Sequence, residues 1–316
     1  MPRRNTRSAS KLYAAYRKIR YLSRRGSLFS FPGVYVPGEL KPEPHLFRII
    51  TINSLFLYLV AYLFLYATSL MITGFTAVMY NIPVVIYYND IDFLIRGIDW
   101  TPDSVSGVFS SSPAAMLLIA VFLLIIYKSV ETERGIMRLL ALWMIYHALT
   151  RLFGEILVGA LMDKGFGFVI LYLFVTDTGK VVLTILGLVV MIMIGTWMTR
   201  QSLYTANIWF NDLRKSYRNK FIISQFFLPY LIGNIVIFLF KIPETSLFDI
   251  SLNAAMILFL VPLPIRSASY KDFYFDLEPR KVALIPLLPV ITVVMILVFR
   301  IVFGFGMRLG QPGATF

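Results

Sequence analysis

Ile49-Ile-Thr-Ile-Asn-Ser-Leu-Phe-Leu-Tyr-Leu-Val-Ala-Tyr-Leu-Phe-Leu-Tyr-Ala-Thr-Ser-Leu-Met-Ile-Thr-Gly-Phe-Thr76 decides the fold class. It contains no charged side chain. Roughly 20 residues of this kind cross a bilayer core of about 30 Å as an α-helix. Six more runs of the same character follow, so the expected spans are 49–76, 110–127, 139–161, 180–198, 221–240, 247–265 and 282–303. A further run, Phe166-Gly-Phe-Val-Ile-Leu-Tyr-Leu-Phe-Val175, is too short to cross. It suits a re-entrant or interfacial segment, with Gly165 and Gly167 allowing a sharp turn at its start.

Composition agrees with that reading. Hydrophobic residues make up 58% of the 316-residue chain and charged ones 15%, against about half and a quarter in soluble domains. Cysteine is absent, which removes disulfides, thiolate metal sites, cysteine nucleophiles and S-acylation. The expected architecture is therefore an all-α polytopic integral membrane protein of about seven transmembrane helices, in a cell membrane or, in a bacterium, the inner membrane.

The formal net charge is +13, from 30 Lys+Arg and 17 Asp+Glu. Short cytoplasmic loops collect Lys and Arg. With the N-terminus inside and seven crossings, the inside segments hold 23 of the 30 basic residues. The C-terminus then lies outside, and 304–316 forms a short external tail. Residues 1–48 carry 11 of the basic residues against Glu39 and Glu43. Within them, Lys11–Arg25 can form an amphipathic helix with Leu12, Ala15, Tyr16, Ile19 and Leu22 on one face. Lys11, Arg17, Lys18, Arg20, Arg24 and Arg25 occupy much of the remainder, a pattern suited to anionic headgroups of the cytoplasmic leaflet. The same charges could serve only to set orientation. Four prolines and two glycines between Phe31 and Pro44 mark a connector rather than a helix. Nothing base-specific accompanies the basic segment, so nucleic acid is not an expected partner; lipid and other membrane proteins are.

The first outer segment, 77–109, holds the β-prone piece Val84-Val-Ile-Tyr-Tyr88 and then Asp90, Asp92, Asp99 and Asp103 against Arg96. It lacks the register of a calcium loop and reads as a solvated acidic cap.

The informative charges lie inside the third span: His147, Arg151 and Glu155 at i, i+4, i+8. This spacing drifts only about 40° per step, so all three share one helix face. Ionisable groups at membrane depth face the bundle interior or a polar cavity. Two readings stand. In one, Arg151 and Glu155 pair and hold helices together. In the other, the stripe lines a polar path, with His147 and Glu155 relaying protons and Arg151 binding an anion or gating. Asn234 and Asn253 could converge on this face, as could Gln225, Thr184 and Thr196. Asp177 and Lys180, at i,i+3, are expected to pair at the interface, and Pro262 and Pro264 to break the sixth helix.

Several chemistries can be tested and rejected. His147-Ala-Leu-Thr-Arg151 occupies the frame of a zinc H-E-x-x-H motif but has Ala148 and Arg151 where the motif needs Glu and His. His45 is the other histidine of the chain, so no metal is expected. No G-x-S-x-G motif or P-loop is present, and no cofactor is expected. A non-catalytic structural or regulatory membrane subunit is the favoured reading. A transporter or channel-like protein using the stripe is the alternative, and a membrane-embedded lipid-modifying enzyme a second one without a motif behind it.

Overall fold

The structure, a computed structural model, describes residues 34–35, 44–129, 135–243, 245–275 and 280–310. Seven helical stretches among them are long and apolar enough to cross a membrane: Pro44–Met79, Pro102–Tyr127, Ile136–Met162, Asp177–Ile208, Lys215–Lys241, Leu247–Ser267 and Leu287–Gly304. The fold is that of an all-α multi-pass membrane protein, with strands of only two or three residues. The basic segment with Lys11, Arg17, Lys18, Arg20, Arg24 and Arg25 lies outside the described residues.

Helix α1, Pro44–Met79, has 36 residues and at 1.5 Å per residue is about 54 Å long, well beyond the bilayer core. It stops where Asn81 takes φ 59, and the Ile82 and Asn81 amides return to the Ala77 and Val78 carbonyls at 2.9 Å each. That left-handed residue and paired bonds form a Schellman end. Helix α2 spans Pro102–Ser129 and α3 Ile136–Met162. Of α3's most apolar window 61% is buried, against 22% in α2. It packs on α1, on α2, on the seven-residue helix α4 (Phe166–Tyr172) and on α5 (Asp177–Tyr204). With protein on every side, α3 is the span that can carry polar side chains without showing them to lipid.

The expected short segment at 166–175 is α4, folded back against α2 and α3. A Cβ on Gly159 would come within 2.8 Å of the Gly167 amide nitrogen, so the two backbones meet with no side chain between them. The expected Asp177–Lys180 pair does not form. Lys180 instead reaches Asp163 at 2.6 Å, while Asp177 sits in the first turn of α5 beneath the Thr176 cap, where a negative charge suits the helix dipole.

The fifth span is composite: α6 (Lys215–Ile222), a π-helical turn (Ile223–Phe227) and α7 (Leu228–Lys241). Pro229 has no amide hydrogen to give the carbonyl four residues back, and its ring crowds that oxygen. That oxygen belongs to Gln225, and it accepts from Ser54 Oγ of α1 at 2.6 Å instead. The widened turn thus follows from the proline, and the released carbonyl ties that turn to α1. The sixth span is broken into α8 (Leu247–Ala254), α9 (Ile257–Leu260) and α10 (Pro262–Ser267), and Pro262 opens α10 as expected. The last helix, α11, runs Leu287–Gly304. It starts later than residue 282 because Asn53 of α1 clamps the preceding chain, donating to the Ala283 carbonyl at 2.9 Å and accepting from the Ile285 amide at 3.0 Å.

Short strands close the two ends. At one end β2 (Val84–Ile86) lies between β3 (Ile91–Phe93) and β7 (Met307–Leu309), all antiparallel. Within the segment 304–316, expected as a short external tail, residues 307–309 form the edge of this sheet. At the other end β4 (Asp212–Leu213) pairs with β5 (Phe273–Tyr274), and β1 (Val34–Tyr35) with β6 (Arg280–Lys281).

A test of the packing uses Gly195 of α5. A Cβ there would stand 2.8 Å from the Phe259 Cα of α9, a backbone atom that cannot rotate away. Gly195→Ala is expected to lower stability in detergent by about 1–3 kcal/mol. Gly304→Ala, whose Cβ meets nothing within 4 Å, should leave the unfolding midpoint unchanged. Equal midpoints for the two variants would contradict the close approach.

Candidate functional site: a buried charge cluster between the helices

The three residues of the stripe are brought together on one buried face of α3. His147 is 4% exposed, and the Arg151 and Glu155 side chains 12% and 9%. Arg151 Nη1 lies 3.8 Å from Glu155 Oε1, an ion pair beyond hydrogen-bond length. The same nitrogen donates to Ser69 Oγ of α1 at 3.3 Å, and Ser69 contacts Ser112 Oγ of α2 at 2.7 Å. The guanidinium carbon stands 4.9 Å from the Tyr66 ring centroid. One side chain therefore binds a carboxylate, a hydroxyl and an aromatic face.

Tyr66 carries a second cation. Lys241 Nζ is 4.2 Å from the same ring centroid and 2.8 Å from Asp249 Oδ1. Lys241 is the last residue of α7 and is 1% exposed. Asp249 is set by the start of α8, where Ser246 accepts from the Asp249 amide at 3.1 Å and donates to its Oδ2 at 2.8 Å. Two cations and two carboxylates thus surround one tyrosine and sum to zero charge. Each cation over a ring adds about 2 kcal/mol when desolvated, and the carboxylates offset the repulsion between the cations. Phe299 of α11 stacks on Tyr66 at 6.0 Å, and the Tyr66 hydroxyl donates to the Asn89 carbonyl at 2.6 Å. Spans one, three, five, six and seven meet here.

His147 sits one helical turn inward from Arg151 in an aromatic cage. Its ring is 4.5 Å from Tyr58, 5.6 Å from Tyr62 and 6.4 Å from Trp143. Among the described residues of this region, His147 Nε2, Tyr62 Oη and Lys241 Nζ are buried without a hydrogen-bond partner, Lys241 keeping its ion pair with Asp249. Asn234 does converge, accepting from the Tyr58 hydroxyl at 3.2 Å. Asn253 makes no side-chain hydrogen bond to this cluster. Thr184 and Thr196 return to the Lys180 and Ile192 carbonyls of their own helix at 2.9 Å each. Gln225 belongs to a separate network nearer the opposite end, bonded to Trp209 and Thr205 and linked through its carbonyl to Ser54 and Trp143.

The residues that reading the sequence missed are Tyr58, Tyr62, Tyr66, Lys241 and Asp249. The tyrosines carry the same i, i+4, i+8 spacing as the stripe, so the two ladders face each other across α1 and α3. That spacing was a usable signal; the pairing of Lys241 with Asp249 depends on where the connection turns and was not. Comparison with known proteins finds no matching family model, curated protein or solved structure.

Removing one partner of a buried ion pair costs about 3–5 kcal/mol because the other charge is left uncompensated. Arg151→Leu is therefore expected to destabilise the protein by that order in detergent denaturation, and Arg151→Leu with Glu155→Leu to recover part of the loss. A double variant less stable than the single would show that the pair is not the interaction at stake.

Proposed function

We propose that this chain is a non-catalytic multi-pass membrane subunit, structural or regulatory, whose central charges hold the helices in one arrangement. The observation that carries the reading is the neutral cluster at Tyr66, where four charges from α3, α7 and α8 form two ion pairs. Charges recruited to fix packing are expected to be paired within the protein, and these are. The chain lies in the membrane with its N-terminus in the cytoplasm and C-terminus outside. Supporting this are the excess of Lys and Arg in the segments 1–48, 199–220 and 266–281, and the strand pairs that group 212–213 with 273–274 at one end and 84–86 with 307–309 at the other. The apolar outer faces of α2, α5 and α11, each with only 22% of its window buried, are the surfaces that lipid and partner membrane proteins would cover.

One observation favours a second reading, a proton-conducting path. His147 Nε2 and Tyr62 Oη, orphaned in neighbouring rings, are polar atoms that an internal water would satisfy. A chain of waters from there to Glu155 would make the stripe a relay. Proteoliposomes holding a pH gradient separate the two. The structural reading expects no dissipation above empty vesicles and no change with Glu155→Gln. Dissipation by the native protein that Glu155→Gln abolishes, with the fold retained, would replace the first reading by the second.

Orientation has its own test. A reporter active only in the cytoplasm should be silent when fused after Phe316 and active when inserted in the 205–214 connection. Activity at the C-terminal fusion would overturn the proposed sidedness.

A further inference from the structure

We infer that water enters the bundle from one end, along the charge cluster, and binds in a recess that is closed off at His147. Three polar atoms at the inner end of this recess, His147 Nε2, Tyr62 Oη and Lys241 Nζ, have no hydrogen-bond partner among the described residues. The three residues are 4%, 2% and 1% exposed. Tyr62 links them. Its ring is 5.6 Å from that of His147 and stacks at 5.5 Å on Tyr66, over which Lys241 Nζ stands at 4.2 Å. The Tyr62 hydroxyl also lies near enough to act on the Lys241 ammonium.

The chemistry of these groups selects water as the occupant. An ammonium offers donors only, a phenol hydroxyl both donates and accepts, and each nitrogen of a neutral imidazole does one or the other. A ligand shared by all three must therefore donate and accept. It must also be uncharged. Lys241 with Asp249, and Arg151 with Glu155, already sum to zero, and a further ion at this depth would stand uncompensated. Water meets both conditions, and a buried water makes about three hydrogen bonds to groups of this kind.

Burial along the cluster shows from which end the water comes. Asp90, in the turn between β2 and β3, is exposed and within electrostatic reach of Asp249 and Lys241. The Asp249 side chain is 19% exposed, against 12% for Arg151 and 9% for Glu155. Surface that water can touch thus runs inward from the end that holds β2 and β3 and fades at His147. Beyond His147 stands an aromatic plug. Trp143 meets the Tyr58 ring edge-on at 5.0 Å and lies 5.5 Å from Phe226, and all three are fully buried. Gly233 lets the α7 backbone lie against Tyr58, because a Cβ there would overlap that ring. On the far side the Trp143 indole, the Ser54 hydroxyl and the Gln225 carbonyl satisfy one another without water. The proposed function rests on the ion pairs at Tyr66, so it stands or falls separately from this recess.

The test is radiolytic labelling of the full native chain in nanodiscs of phosphatidylcholine. A short X-ray pulse forms hydroxyl radicals from the waters present, and mass spectrometry reads the side chains that those radicals modify. Tyr62 should be labelled at least about fivefold more than Trp143, although an indole is as reactive toward the radical as a phenol. A smaller ratio would overturn the inference: an unlabelled Tyr62 would mean a dry interior, and a labelled Trp143 a recess that is open beyond His147. The neutral occupant has its own readout. The thermal unfolding midpoint should be the same in sodium chloride, sodium gluconate and potassium chloride at equal ionic strength. A midpoint raised by chloride or by one cation alone would show that an ion, rather than water, fills the site.

Discussion

The Arg151 guanidinium in the middle of α3 constrains the rest of the structure. A charge at that depth is tolerable only when its partners are within reach, and here they come from several helices. Glu155 alone does not suffice, because at 3.8 Å it is too distant for a hydrogen bond. Ser69 and the face of Tyr66 complete the shell and thereby fix α1 against α3. Tyr66 then admits Lys241, whose charge requires Asp249, so the end of α7 and the start of α8 are drawn to the same point. Each polar group added to the cluster obliges another helix to be present. Helices in lipid gain little from the hydrophobic effect when they associate, so such obligations help to decide which spans touch.

Meeting them requires short distances between backbones. Gly195 lets α5 lie directly on α9 at Phe259, and Gly159 and Gly167 let α4 fold onto α3. Pro229 works in the opposite sense, by depriving the Gln225 carbonyl of its helical donor. The freed oxygen accepts from Ser54, which also accepts from the Trp143 indole at 3.0 Å. A break in one span therefore ties its π-helical turn, α1 and α3 together at the end away from Tyr66. The bundle is held by polar contacts at two levels, with the aromatic cage of His147 between them.

How much of this could be read beforehand follows from the kind of signal each feature leaves. Apolar runs mark spans because hydrocarbon admits little else, so the seven helices and the short α4 were legible from Ile49 onward. The stripe was legible because helical spacing places His147, Arg151 and Glu155 on one face whatever surrounds them. Helix ends were less so: α5 runs to Tyr204 and α1 starts at Pro44, since polar residues at headgroup level cost a helix nothing. What crosses between segments left no local trace. Lys180 has Asp177 three residues away yet pairs with Asp163, and Met307–Leu309 closes a sheet begun at Val84. Asn234 and Asn253 were indistinguishable by type; Asn234 alone meets the stripe, through the Tyr58 hydroxyl.

The buried arginines show how the protein separates two uses of charge. Arg151 is neutralised by a carboxylate and an aromatic face at the centre of the bundle. Arg218, at the end that holds β4 and β5, gives most of its donors to main-chain carbonyls, with Asp272 at 3.6 Å. Carbonyl dipoles and the Asp272 carboxylate together offset that buried charge. The centre, by contrast, sums to zero charge at Tyr66. The net charge of +13 is therefore a property of the periphery. The interior arginines and Lys241 shape the fold through the partners they hold there.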